Sequence, residues 1–411
     1  MSFKDLHLNK PILRAVAEAG YDNPTLIQKQ CIPPILDQKD VIASAQTGTG
    51  KTAAFALPIL QLLFDYQDAP KRGKKIKALI VSPTRELAVQ IKDNFKGYSK
   101  YINLRTAVLF GGTSIEPQLD ILKKGIDILI ATPGRLLDLH KQDYINLDYV
   151  NILVLDEADL MLDMGFIDDV KKIERLCPTT KQTLLFSATI PYKVEQLASQ
   201  ILDNPIRIDV TQEKASTLTI HQLLYYVPKR KKIDLCSHLL RNTIKGTVLI
   251  FRRTKFGVKK LEQRLIEQGY RADSLHGDKS QSERQTALNK FKSGYTKILI
   301  ATDVASRGID VEHLDNVFNF DLPNRPETYV HRIGRTGRAG HVGMAYSLCS
   351  ADEKAYIQNI QQELNLQIPI ETEHPYPLDP DATPIIHKKK GSKYKKGRKG
   401  EGAKKRKKRW Y

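Results

Sequence analysis

Val41-Ile42-Ala43 runs into Ala45-Gln46-Thr47-Gly48-Thr49-Gly50-Lys51-Thr52, and a helical pattern begins near Lys51. A short strand, a glycine-rich turn and a helix in that order restrict the fold sharply. Gly48 and Gly50 let the backbone approach a ligand that side chains would hold off. The helix start aims free amides at the same place, which suits an anion, and above all phosphate. Further along, Asp156-Glu157-Ala158-Asp159 closes the apolar run Ile152-Leu153-Val154-Leu155. Carboxylates at the carboxyl end of a buried strand lie where open α/β sheets hold their ligands. An isolated acidic pair is commonly a helix cap. Joined to the glycine loop, it points to a nucleoside triphosphate and a magnesium ion. Lys51 would contact the terminal phosphates, Thr52 and Asp156 would hold the metal, partly through water, and Glu157 would orient and deprotonate the attacking water. Ala45 stands where the common loop pattern has glycine.

Apolar strand candidates at 40–44, 78–81, 106–110, 126–131, 152–155 and 183–186 alternate with amphipathic helical stretches such as 85–95 and 194–202. That alternation predicts an α/β domain with a parallel sheet covered by helices. The polar stretch Thr211-Gln212-Glu213-Lys214-Ala215-Ser216-Thr217 has no large apolar residue and reads as a linker. Strand candidates resume at 222–227, 247–251, 297–302, 316–320 and 345–349, with helices at 256–268 and 282–291 between them. The expected organisation is a first domain over 1–210, a linker over 211–220, a second domain of similar build over 221–371, and an extended tail over 372–411.

The net charge of +19 is unevenly spread. Residues 387–411 hold fourteen Lys or Arg against one Glu, which leaves +6 for residues 1–386. Such a tail repels itself and cannot collapse. It reads either as a solubility tail or as a flexible arm for polyanions. Tyr394, Trp410 and Tyr411 add stacking groups that favour the arm. Cys31, Cys177, Cys236 and Cys349 are scattered, with neither zinc-finger nor Cys-x-x-Cys spacing, so reduced and mostly buried thiols are expected. No apolar run reaches the ~20 residues that cross a bilayer, and no signal peptide is evident. These features point to the cytoplasm.

Taken together, the segments resemble a DEAD-box ATP-dependent RNA helicase with two RecA-like domains, most like the bacterial RhlE-type subgroup. The likeness covers roughly residues 3 to 350, with motifs in family order. Phe3, Gly20-Tyr21, Pro24-Thr25 and Ile27-Gln28 match the adenine-reading segment. The resemblance implies that Gln28 bonds the adenine edge and that Tyr21 packs on the base. An amide offers adenine a donor and an acceptor together, so ATP is expected over GTP. Pro83-Thr84-Arg85-Glu86-Leu87-Ala88, Gly111-Gly112 and Thr132-Pro133-Gly134-Arg135 match RNA-backbone motifs, with Pro83, Arg85, Gly112, Thr132, Pro133 and Arg135 as implied contacts. Ser187-Ala188-Thr189 matches the segment that couples hydrolysis to strand opening, with Asp159, Ser187, Thr189 and His331 implied in that coupling.

In the second half, His331-Arg332-Ile333-Gly334-Arg335-Thr336-Gly337-Arg338 spaces three arginines by three, which predicts roughly one helical face. A basic surface helix would look the same. The resemblance makes Arg335 and Arg338 arginine fingers, a role worth about 10³–10⁵ in rate. It also implies that Gly308 and Asp310 contact the nucleotide, Asp310 at its ribose, while Thr302, Gly277 and Arg252 face RNA. A small or polar residue is commoner where Arg252 stands. ATP and RNA together are expected to close the two domains and peel short duplexes locally, without processive tracking. Two other readings stay open from the residues: an ATP-controlled RNA clamp, and a DNA translocase. Comparing RNA with DNA as stimulators of hydrolysis separates them.

Overall fold

The computed structural model describes residues 2–45, 48–65, 75–210, 220–306, 314–337 and 342–381. The first sheet holds β1 (Val41–Ala45), β2 (Ala78–Val81), β3 (Thr106–Leu109), β4 (Ile128–Ala131), β5 (Ile152–Leu155), β6 (Gln182–Ser187) and β7 (Ile206–Val210), in the order β3-β4-β2-β5-β6-β1-β7. The second holds β8 (Ile220–Tyr226), β9 (Val248–Phe251), β10 (Ala272–Leu275), β11 (Ile298–Ala301), β12 (Asn316–Asn319) and β13 (Gly343–Cys349), in the order β10-β11-β9-β12-β13-β8. Every pairing is parallel. Helices cover both faces, as the alternation of patterns predicts, and the architecture is that of tandem RecA-like domains.

The short apolar runs are continuous because each strand is buried on both faces. Alternation then divides each run between two layers. Ala43, Ile80, Ile130, Val154 and Phe186 meet Phe55 and Phe95 on one face. Ile42, Leu79, Leu129, Leu153 and Leu185 meet Leu136 and Val170 on the other. Each such large side chain contributes about 1.5–3 kcal/mol by leaving water. Register brings the strand ends level: Val81 stands opposite Leu155 and Ala131, and Ser44 opposite Ser187. Loops that leave the carboxyl ends therefore gather on one rim.

Interior strands fall where the sequence places them, with ends shifted by a residue or two. Two edge strands carry no such signal. β7 includes Arg207 and Asp209, and β10 includes Asp273 and Ser274. An edge strand is partly solvated, so it needs less apolar character than a central one. The amphipathic stretch near Ile357 forms the helix Lys354–Glu363. Its apolar side goes inward, with Ile357 and Ile360 packed on Leu224, Tyr329 and Ile368.

Beyond that helix the chain runs back along β8. Leu224 donates to Pro369 O, Glu371 donates to Leu224 O, and Leu378 donates to Tyr226 O. Tyr376 lies under Lys231, and His374 meets the Tyr225 ring edge-on. Linker residues 211–219 and tail residues 382–411 lie outside the described residues. All four cysteines are buried and unpaired, and burial pushes their thiols up to about 12. No helix among the described residues is long and apolar enough to cross a membrane.

Candidate functional site

β1 ends at Ala45, Gly48 and Gly50 take φ of 87° and 92°, and the helix Lys51–Asp65 starts at once. Lys51 is nearly enclosed, and its Nζ lies 3.1 Å from Glu157 Oε1. Burial alone would lower the pKa of this ammonium. The carboxylates of Glu157, Asp156 and Asp159 outweigh burial and hold it above its ordinary value. Burial and the charge of Glu157 push the Asp156 carboxyl up, with Lys51 opposing. Asp156 Oδ1 is buried with no hydrogen-bond partner among the described residues. An orphaned anionic oxygen suits a hard divalent cation, and Thr52 stands half-buried on the facing helix turn. Glu157 has φ 56° and ψ 55°, a left-handed backbone that is strained for a residue with a β-carbon. Thr49 completes the loop. Gln46 and Thr47 lie outside the described residues.

The segment expected to read adenine is wired to that loop. Thr25 N donates to Gln28 Oε1 at 2.9 Å, and Gln28 Nε2 donates to Gly50 O at 3.2 Å. A β-carbon on Gly50 would collide with the Gln28 amide, so glycine is required there twice over. Tyr21 is partly exposed, and its hydroxyl lies 3.1 Å from that of buried Tyr98. Phe3 is buried in the core beneath and presents no free face.

Asp159 is the junction between the acidic segment and Ser187-Ala188-Thr189. Its amide donates to Ser187 Oγ at 3.0 Å, and its Oδ2 accepts both the amide and the hydroxyl of Thr189 at 2.9 Å. Burial by itself would raise this carboxyl. The charges of Lys51 and of His331, with the Thr189 and Ser187 bonds, bring it below the usual range. His331 belongs to the second domain, so the two domains act on one carboxylate.

Arg332 and Arg335 do not share a helical face. The helix Pro326–Ile333 stops at Gly334, and Gly337 has φ 69°. Arg332 turns inward as a bidentate partner of Asp303 (2.6 and 2.8 Å), reaching Asn319 Oδ1 and Asp321 O as well. Arg335 is half-buried in the turn beyond. Arg338, Gly308 and Asp310 lie outside the described residues.

A cationic cradle faces the same rim in the first domain. Thr84 caps the helix Arg85–Tyr98, accepting from Leu87 N. Gly112 has φ 72°, and a β-carbon there would strike the Arg85 guanidinium. Burial, then the charges of Arg284 and Arg135, lower the Arg85 pKa against the pull of Glu86. Arg135 gives Nη2 to Thr113 O at 3.0 Å, while its buried Nη1 has no partner among the described residues. Thr132 precedes buried Pro133 at the start of the helix Pro133–Lys141. Crowded guanidinium groups with an unfilled donor suit a phosphodiester. In the second domain Gly277 opens on empty space, and Thr302 N donates to Leu275 O. Arg252 is already committed to Asp321 at 2.8 Å and lies 4.0 Å over the Phe320 ring.

Among the described residues, two ion pairs join the domains. Arg284 meets Glu86 at 2.8 Å, and Arg325 meets Asp163 at 3.0 Å. Neither pair is visible in sequence spacing, because the partners lie far apart in the chain. Arg332 and Asp303 are likewise findings of the structure.

Residues 25–197 match the family described as DEAD/DEAH box helicase, and residues 231–340 match the helicase conserved C-terminal domain. Over 367 residues the chain is 42% identical to the DEAD-box ATP-dependent RNA helicase RhpA of Helicobacter pylori, covering 89% of this chain and 73% of that protein. It is 41% identical to the DEAD-box ATP-dependent RNA helicase CshA of Bacillus subtilis over 362 residues, 88% of this chain and 72% of that one. Among solved structures, S. cerevisiae Dbp5 bound to RNA and ADP BeF3 superposes with a TM-score of 0.80 at 30% identity, covering 90% of this chain and 95% of that chain. Mss116p bound to ssRNA and AMP-PNP also gives 0.80 at 30% identity, covering 90% of this chain and 78% of that chain. The chain belongs to the DEAD-box ATP-dependent RNA helicases.

Proposed function

We propose that this protein couples ATP hydrolysis to local, non-processive unwinding or remodelling of RNA duplexes and RNA-protein complexes. The observation that carries the reading is Asp159, bonded to Thr189 and acted on by the charges of Lys51 in its own domain and His331 in the other. A site shared in this way is complete only when the domains meet, and RNA bound across both domains favours that meeting.

ATP would lie on the rim of the first sheet, with Gln28 and Tyr21 at the base and the 45–52 loop at the phosphates. Asp156 and Thr52 would hold magnesium, which supplies charge neutralisation at the phosphate oxygens. Glu157 aligns the attacking water and accepts its proton. Arg335, with Arg338, stabilises charge on the γ-phosphate from across the cleft. RNA phosphates would lie on Arg85, Gly112, Thr132 and Arg135, then on Gly277 and Thr302. Contacts of that kind carry little sequence preference. Arg252 serves mainly to hold the loop after β9 against Asp321. The buried, unpaired thiols support a reducing compartment, in keeping with the cytoplasm.

The test is steady-state ATP hydrolysis without nucleic acid, with single-stranded RNA and with matched DNA, for wild type and Glu157→Gln. RNA-selective stimulation that the variant loses by about 10²-fold or more supports the reading. Equal stimulation by DNA turns it toward a translocase, and tight RNA binding with little hydrolysis turns it toward a clamp. For the basic tail, truncation after Asp381 leaves the segment along β8 intact. The arm reading requires weaker RNA binding and a shallower salt dependence in that shortened chain.

A further inference from the structure

An aromatic ring stands in solvent beside the RNA-facing loops of the second domain. Phe256 is 74% exposed. It is the second residue of the helix Lys255–Glu267, which begins just after β9. Among the described residues it enters none of the apolar clusters and meets no other ring. A single exposed phenylalanine means little by itself. Its mounting is what distinguishes this one.

Thr254 Oγ1 accepts from Gly257 N at 3.0 Å and closes the first turn under the ring. Arg252, anchored by Asp321, fills the space beside Gly257, where an added β-carbon would come within 2.8 Å of its Nη2. Lys255 and Lys259 both bind Asp278, at 2.8 and 2.9 Å. Asp278 follows Gly277 directly, so two ion pairs tie the ring's helix to the loop carrying that glycine. β9, β10 and β11 end level here, since Phe251 and Leu275 both stand opposite Ala301, the residue before Thr302. The helix that carries the ring is therefore tied to the strand ends that carry Arg252, Gly277 and Thr302.

We infer that Phe256 is a stacking platform for one unpaired base of the bound RNA. The inference rests on the reading of Gly277 and Thr302 as backbone contacts. Backbone contacts leave the bases free, and every base offers a flat face that an aromatic ring can take without regard to sequence. A base inside a duplex is already stacked on its neighbours, so the platform favours a strand whose bases have come apart. The flanking lysines supply positive charge suited to the adjoining phosphates.

The test is equilibrium binding of a short fluorescently labelled single-stranded RNA to the full chain, in the presence of a non-hydrolysable ATP analogue. A series of the same RNA carries one abasic position, moved along the strand. Phe256→Ala is expected to weaken binding of intact RNA about fivefold or more, and Phe256→Trp to retain it. At one abasic position the wild type should fall to the level of the alanine variant, which is itself indifferent to the lost base. The salt dependence of binding should stay the same, because no phosphate contact is removed. Unchanged affinity in Phe256→Ala overturns the inference and leaves the ring to a protein partner. An equal loss on every abasic RNA overturns it too, by tracing the effect to the backbone path. A wild-type chain that binds no RNA overturns the RNA reading beneath it.

Discussion

Glu86 of the first domain and Arg284 of the second meet at 2.8 Å with both side chains almost wholly buried. Arg284 also donates to Ala305 O at 3.2 Å, just beyond Thr302. Arg85, beside Glu86, belongs to the cationic cradle. One ion pair thus joins a helix start on each domain, beside the candidate RNA contacts, and it exists only while the domains touch.

Removing one partner of a buried pair leaves the other charge uncompensated, at a cost of about 3–5 kcal/mol when burial is complete. Here the cost falls on the closed arrangement. Glu86→Gln is expected to raise the RNA concentration for half-maximal ATP hydrolysis about tenfold or more. Glu86→Arg combined with Arg284→Glu should recover part of the loss. A titration of hydrolysis against RNA measures both, and a wild-type midpoint for Glu86→Gln would refute the role.

Arg332 is buried against Asp303, Asn319 and Asp321 O. Lysine keeps the charge but not the planar fork that serves three partners at once. Arg332→Lys should therefore destabilise the second domain by about 3 kcal/mol. Urea unfolding followed by circular dichroism reads this, and a variant as stable as wild type would contradict it.

Gly112 combines φ 72° with the Arg85 guanidinium where a β-carbon would stand. Gly112→Ala costs about 1 kcal/mol or more in backbone strain and displaces Arg85. RNA affinity should drop about tenfold, while ATP affinity without RNA stays unchanged. Separate binding titrations for the two ligands distinguish this from general unfolding.

Hydrogen bonds from Lys255 and Lys259 hold the Asp278 carboxyl down at about 2, against an ordinary value of 3.8. A carboxyl lowered by folding stabilises the protein above its unfolded pKa, and that contribution fades as pH falls through the folded value. Asp278→Asn should be less stable than wild type at neutral pH. The gap should narrow as pH drops from about 4 toward about 2. Urea midpoints for both chains across that range test the sign, and a gap that widens in acid would disprove it.

Much of the site was legible in the sequence because phosphate chemistry demands particular residues at short spacing. A glycine loop before a helix and acids after an apolar strand are local devices. The structure brings Lys51 and Glu157 together and ties Asp159 to Ser187 and Thr189, as those segments lead one to expect. The edge strands β7 and β10 were hidden, since a partly solvated strand carries only half of the apolar pattern. The regular spacing of Arg332 and Arg335 misled because the helix Pro326–Ile333 stops at Gly334, before Arg335 is reached.

By itself, then, the chain determined two parallel α/β domains, a glycine turn between a strand and a helix, and acids at a strand end, because hydrophobic alternation and glycine conformations act over a few residues. Only the tertiary structure decided which charges pair. Glu86 finds Arg284, Arg332 turns to Asp303, and Gln28 locks onto Gly50. Such partners meet when packing excludes water and the low dielectric makes an unpaired charge or amide too costly to leave alone. That selection depends on distances in three dimensions, which linear spacing does not encode.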